Sequence, residues 1–334
     1  MQILTSTIRE FQKLSSGIKT NPILPICAYL KITDKSIIKT NLHQFIDFSI
    51  SSASKGEIFL VDEKLLYNLV NVTNSELIKI SASDKHLVIE DERQSLKHQL
   101  QDITHFPAIP SAENEYIPIS DETIAAISVA NNLTIEENIP TIKSAVMVGK
   151  NHVAATDHFI AYKEGIAENV TVLLMKQVAA IISKLTNVEY STTENYDFFK
   201  TSKFIFGFSK SELNYMNIQE KIILNGSALE SKINKQDIIS FCDMAINSSY
   251  SNLSPVCKME SELLTMDDDG FDIHLKKEMP SLKCKKAFNF NPILMNKLLK
   301  SIPGEEINLY FDSNKYFITD DTKTYLSLIM GIYE

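Results

Sequence analysis

The sequence has no tryptophan, nine glycines in 334 residues and only two arginines, Arg9 and Arg93. Each shortage excludes something. So few glycines leave little for phosphate-cradling loops, and neither GxxxxGK[ST] nor GxGxxG occurs. HExxH and GxSxG are absent too, so no hydrolase motif marks a catalytic centre and no catalytic residue is assigned. The four cysteines (Cys27, Cys242, Cys257 and Cys284) lie far apart with no CxxC pair. They read as reduced thiols of a cytoplasmic protein, neither a disulfide framework nor a zinc site. No apolar run approaches the roughly 18 residues of a membrane span. The opening MQILTSTIREFQKL lacks the basic and apolar regions of a signal peptide. Against 31 lysines, two arginines offer almost none of the bidentate forks that read guanine, which argues against sequence-specific base readout.

What is present is ordinary for a soluble domain: 44% hydrophobic and 22% charged residues, at a net charge of −9. The acidity is uneven. Residues 1–112 are neutral, residues 113–230 carry −6 and residues 231–334 carry −3. This excludes a uniformly basic nucleic-acid binder, so any such contact must come from locally placed lysines on an acidic body. The acidic run MDDDGFDIH (266–274) lacks the terminal glutamate of a calcium loop and reads as a hairpin turn around Asp-Gly.

An internal repeat organises the chain. An apolar strand end running into an amphipathic helix occurs three times, from Phe59, Val172 and Phe288. Counted from Val61, Leu173 and Phe290, positions +5, +8 and +9 are Leu66, Leu69 and Val70, then Val178, Ile181 and Ile182, then Met295, Leu298 and Leu299. That is one helical stripe in three copies. A second helix precedes each: Ile8, Phe11 and Leu14; Ile124 and Ile127 after Ser120-Asp121; Ile238, Phe241, Cys242 and Ala245 after Asn234. Strand-like stretches recur as well. IKISASDKHLVIED (78–91) matches INLYFDSNKYFITDD (307–321), with Lys85 against Lys315, and SIIKTNLHQFIDFSI (36–50) matches NHVAATDHFIAYK (151–163), with Thr40 against Thr156. Their alternation is that of antiparallel sheets with one buried face. Linkers are expected at 106–118 and 225–234. The predicted fold is α+β: three tandem repeats (1–112, 113–230 and 231–334), each with two helices on an antiparallel sheet.

These residues carry a family resemblance. NPILPICAYLKI (21–32), HFPAIP (105–110), AATDHFIAY (154–162) and the ending SLIMGIYE (327–334) resemble, in order and over the whole chain, segments of the bacterial DNA sliding clamp, the beta subunit of DNA polymerase III. The resemblance implies the ring-forming DNA-clamp fold. It implies a head-to-tail homodimer, cytoplasmic in a bacterium or a phage-infected host, that encircles double-stranded DNA irrespective of sequence. It also implies a non-enzymatic processivity factor with no cofactor, no metal and no membrane partner. The candidate DNA-binding residues are Arg9, Lys13, Lys19, Asn21, Lys64, Lys143, Lys176, Lys184, Lys235, Lys297 and Lys300. DNA polymerase and clamp loader would dock through short apolar peptides in a pocket formed by Thr156, His158, Phe159, Ile160, Leu328, Met330, Gly331 and Ile332. This sequence departs from the family pattern there: a glycine is missing after Thr156-Asp157, Phe159 replaces an arginine, Gly331 a proline, and Glu334 an apolar terminus. Those departures keep open a second reading, a clamp-like paralogue or phage-borne relative that serves as an interaction scaffold without the replicative role.

Overall fold

The computed structural model describes residues 1–51, 56–83, 85–137, 141–156, 160–166, 169–213, 229–249, 255–268, 272–302, 304–312, 315–320 and 325–330. Along the chain the same order of elements runs three times. The first copy is β1 (Gln2–Leu4), α1 (Thr5–Ser15), β2 (Tyr29–Thr33), β3 (Ser36–Thr40), β4 (Gln44–Ser49), β5 (Ile58–Asp62), α2 (Glu63–Val72), β6 (Leu77–Ser83), β7 (His86–Glu90) and β8 (Ser95–Gln99). The second is β9 (Ile117–Pro118), α3 (Asp121–Leu133), β10 (Ala145–Gly149), β11 (His152–Thr156), β12 (Ile160–Gly165), β13 (Val172–Met175), α4 (Lys176–Ile182), β14 (Glu189–Thr192), β15 (Tyr196–Lys200) and β16 (Phe204–Ser209). The third is β17 (Leu229–Asn234), α5 (Lys235–Ser248), β18 (Cys257–Ser261), β19 (Leu263–Asp268), β20 (Ile273–Glu278), β21 (Cys284–Phe290), α6 (Pro292–Ser301), β22 (Glu306–Asp312), β23 (Lys315–Thr319) and β24 (Tyr325–Met330).

Local chemistry sets the helix starts. Asp62 accepts a hydrogen bond from the Leu65 N–H, Asn234 from that of Gln236, and Asn291 from those of Ile293 and Leu294, each an N-cap, with Pro292 pre-set for the first turn of α6. The repeated stripes are buried as their spacing predicts: Ile8 and Phe11, Leu66, Leu69 and Val70, Ile124 and Ile127, Val178 and Ile182, Ile238, Phe241 and Cys242, and Met295, Leu298 and Leu299. Leu14 is only partly buried.

Among the described residues every strand pairing is antiparallel. The chain divides into two compact units, residues 1–120 with 185–211, and residues 121–184 with 212–334. The first unit holds a four-stranded sheet, β1-β6-β7-β8, and an eight-stranded one, β5-β2-β3-β4-β16-β15-β14-β9. The second holds β13-β10-β11-β12-β24-β23-β22-β17 and β20-β19-β18-β21. The repeats are thus three and the packing units two, with the middle repeat divided between them. Two details differ from the sequence reading. Residues 229–234, expected within a linker, form β17, which pairs with β22. Lys85 lies in the β6–β7 turn, whereas Lys315 opens β23, so the strands match one residue away from the expected alignment.

Candidate nucleic-acid interface and strand edges

Of the candidate cations on helices, three hold the helix pairs together. The guanidinium of Arg9 on α1 donates to the carbonyls of Val70 (2.9 Å) and Thr73 (3.0 Å) at the end of α2. Lys176, at the start of α4, donates to the Thr134 carbonyl just past α3 (2.6 Å). Lys235, at the start of α5, donates to the Ile302 carbonyl just past α6. Carbonyls at a helix C-terminus have no partner within the helix and sit at the negative end of its dipole, so each cation satisfies an orphan acceptor. Partial burial pushes the Lys235 ammonium below its ordinary value, and Glu305 opposes that shift. Lys300 instead pairs with Asp243 (3.3 Å), which also accepts from the buried amide of Asn296.

The remaining candidates are placed as follows. Lys13, Lys64 and Lys184 are exposed on or at the end of their helices. Lys297 on α6 and Lys143 in the short turn Ile142–Ser144 are partly buried. Lys19 is exposed before the loop in which Asn21 accepts from the Ile23 N–H (2.9 Å). Sequence reasoning missed Lys39. On β3, buried at 4% exposure, it donates to the Ser15 carbonyl (3.3 Å) and pairs with Glu63 at the start of α2 (2.6 Å), so one ammonium joins the end of α1 to the start of α2. Only its place in the strand alternation could have flagged it as inward-facing.

The candidate peptide pocket falls on the join between β12 and β24. Thr156, buried at the end of β11, lies opposite Ala161, which lies opposite Leu328; Ile160 lies opposite Ile329, and Met330 opposite Lys315. The backbone register therefore brings Thr156, Ile160, Leu328 and Met330 to one end of these neighbouring strands. His158, Phe159, Gly331 and Ile332 lie outside the described residues.

The sheet edges carry a regularity of their own. In both eight-stranded sheets the fourth strand of one repeat joins the last strand of the next: β4 with β16, and β12 with β24. The same two kinds of strand are left at edges once each, as β8 and β20. β8 alternates outward Ser95, Lys97 and Gln99 with half-buried Leu96 and His98, and the His98 Nε2 is buried with no partner among the described residues. β20 alternates half-buried Ile273, Leu275 and Lys277 with outward His274, Lys276 and Glu278. Asp267 and Asp272 lie beside His274 (2.8 and 3.5 Å) and raise its pKa, chiefly through the hydrogen bond to Asp267. No cluster of three or more potential metal ligands occurs among the described residues.

No protein-family model and no curated protein matches the sequence. Solved structures do match, over the whole chain. The DNA polymerase sliding clamp from Bacillus subtilis superposes with a TM-score of 0.86 at 17% identity, covering 100% of this chain and 98% of that one. The DNA polymerase beta subunit of Streptococcus pyogenes gives 0.86 at 14% identity, covering 100% and 99%. The Helicobacter pylori beta clamp bound to a DNA ligase peptide gives 0.83 at 14% identity, covering 100% of both chains. At these identities the likeness is one of fold, and the fold of this chain is that of the sliding clamps.

Proposed function

We propose that this chain, which has the sliding-clamp fold, is a non-catalytic processivity factor that closes as a head-to-tail homodimer around double-stranded DNA. The observation that carries this reading is the pair of edges β8 and β20. The chain makes the fourth-to-last strand join twice within itself and leaves one strand of each kind over. A second copy supplies the complement of both, so two copies satisfy every such edge and no further copy can add. Closure is a physical answer to exposed edges, which otherwise template uncontrolled pairing.

Six repeats in a ring would present their helices to the DNA. A sliding clamp needs diffuse phosphate contacts without base contacts, and lysines suit that task. The exposed Lys13, Lys64 and Lys184 are the most available; Lys19, Asn21, Lys143, Lys297 and Lys300 complete the proposed DNA-facing set, with Arg9, Lys176 and Lys235 committed first to helix ends. The rows around Thr156, Ile160, Leu328 and Met330 are the proposed docking site for short apolar peptides of DNA polymerase and the clamp loader, an extended-peptide mode. The H. pylori clamp, solved with a DNA ligase peptide, supports peptide docking on this fold. With no helix long and apolar enough to cross a membrane among the described residues, a cytoplasmic replication role is consistent.

Light scattering across concentration, followed by retention on circular and linearised DNA, tests the proposal. A mass near twice 37.7 kDa, with retention on circles and loss from free ends, is expected. A monomer at micromolar concentration, or equal retention on both topologies, would overturn it.

A further inference from the structure

We infer that the two copies close in one definite register, with Leu96 of β8 opposite Leu275 of β20. The inference rests on the ring-dimer reading above and goes beyond it to the residue pairs of the joint.

The repeat itself supplies the register. Within β8, Leu96 lies opposite Ile89 of β7; its equivalents in the last strands of the other copies are Phe206, opposite Phe199, and Ser327, opposite Ile318. Within β20, Leu275 lies opposite Met266 of β19; its equivalents are Ile46, opposite Lys39, and Tyr162, opposite Ala155. In the first internal join Phe206 faces Ile46, and in the second Ser327 faces Tyr162. Two joins, built from different residues, use one register. Carried to the free edges, it sets Leu96 against Leu275, His98 against Ile273, Lys97 against His274 and Ser95 against Lys276.

Two independent observations agree with it. The first is the direction of the backbone groups. Leu100 N–H bonds to the Lys85 carbonyl and Asp91 N–H to that of Gln94, so the even-numbered residues of β8 are engaged with β7, and Ser95, Lys97 and Gln99 turn their backbone groups to the free edge. Met279 N–H bonds to the Glu262 carbonyl, so the odd-numbered residues of β20 are engaged with β19, and His274, Lys276 and Glu278 turn theirs outward. The register pairs these two open sets, as an antiparallel ladder requires. The second is side-chain facing. Leu96 and His98 meet Leu275 and Ile273 on the inward face, while Lys97 and Ser95 meet His274 and Lys276 on the outward face. A one-residue slip would set apolar residues against charged ones. Beyond the strand ends the same register brings Arg93 opposite Glu278, one of the two arginines against an acid.

Disulfide trapping tests this. Leu96 and Leu275 would form a pair not bridged by backbone bonds, with Cα atoms about 4.5 Å apart, within disulfide reach. The native cysteines are all buried. Oxidised full-length chain carrying Leu96→Cys with Leu275→Cys should run almost entirely as a covalent dimer on a denaturing, non-reducing gel. Leu96→Cys with Ile273→Cys, slipped by two residues, would separate the Cα atoms beyond the roughly 7 Å that a disulfide tolerates and should stay a monomer on the gel. A second pair in the proposed register, Lys97→Cys with His274→Cys, reads the same joint should the first not fold. If light scattering shows a dimer yet only the slipped pair cross-links, or neither proposed pair does, the register is wrong and the ring stands. A wild-type monomer would sink both.

Discussion

Asp197 shows what one residue can conceal from sequence reasoning. It sits in β15 where the other copies place Leu87 and Tyr316, both buried, and is itself only 4% exposed. A carboxylate at a core position is costly unless its oxygens are satisfied. Here Tyr190 donates to it at 2.7 Å and Thr192 at 2.8 Å. Burial raises the Asp197 pKa above its ordinary 3.8, and the two hydroxyls only partly oppose the shift. Because the folded-state value is the higher one, the folded protein holds the proton longer than the unfolded chain. This contribution to stability is therefore present below pH 3.8 and is lost as pH rises through the folded value. Asp197→Asn keeps an accepting oxygen and should remove that acid-limb slope while costing little at neutral pH. Asp197→Ala strands the Tyr190 hydroxyl, while the Thr192 hydroxyl keeps the Thr193 and Tyr196 carbonyls within reach, and should cost roughly 1–3 kcal/mol. Denaturant midpoints measured from pH 3 to pH 7 decide between them; an Asn variant that keeps the slope, or loses as much stability as Ala, would refute this account.

At the level of elements, periodicity was legible and partnership was not. The helical stripes of α2, α4 and α6 could be read directly, because apolar spacing is a local signal. The β17 strand was hidden inside the small and polar stretch NGSALESKIN (225–234), which reads as a linker. The duties of Arg9, Lys176 and Lys235 were hidden for another reason. Lys176 and its acceptor are 42 residues apart, and Lys235 and its acceptor 67 apart, so nothing local links them. All three read as surface cations, yet each closes a helix end, once per repeat. The two roles separate experimentally. Arg9→Gln, Lys176→Gln and Lys235→Gln should each lower stability by about 1 kcal/mol, the scale of a charge-assisted cap. Lys13→Gln, Lys64→Gln and Lys184→Gln should leave stability unchanged and flatten the salt dependence of DNA binding, by about 0.9 in the log–log slope for each phosphate the variant no longer neutralises. If the first set flattens the slope without destabilising, those cations face DNA and not the helix ends.

At the scale of the whole molecule, the repeat predicts three similar units, but which edges remain open depends on how strands are ordered in sheets. That order pairs strands more than a hundred residues apart, as β4 with β16 and β12 with β24, beyond the reach of alternation patterns. The open edges bring a final consequence. In the proposed register the outward row at each joint runs from Asp267 through His274 to Lys97 of the second copy, with Asp272 beside His274 and Lys276 next along the same face of β20. Asp267 and Asp272, chiefly through the hydrogen bond to Asp267, hold the His274 pKa above its ordinary 6.5, so in the open chain the imidazole keeps its proton to higher pH than a free histidine would. Closing the ring sets an ammonium against it, and like charges directly across a strand pair repel. The closed state thus binds protons less readily than the open one, and closure releases protons. By linkage, dimerisation should strengthen as pH rises through the raised His274 value and weaken below it. Lys97→Glu inverts the sign: the facing carboxylate then favours the protonated imidazole, and the dimer should strengthen on acidification. His274→Gln should abolish the dependence in either background. Dimer dissociation constants from sedimentation between pH 5.5 and 8.5 read all three, and a wild-type dimer indifferent to pH while Lys97→Glu is equally indifferent would separate Lys97 from His274 in the ring.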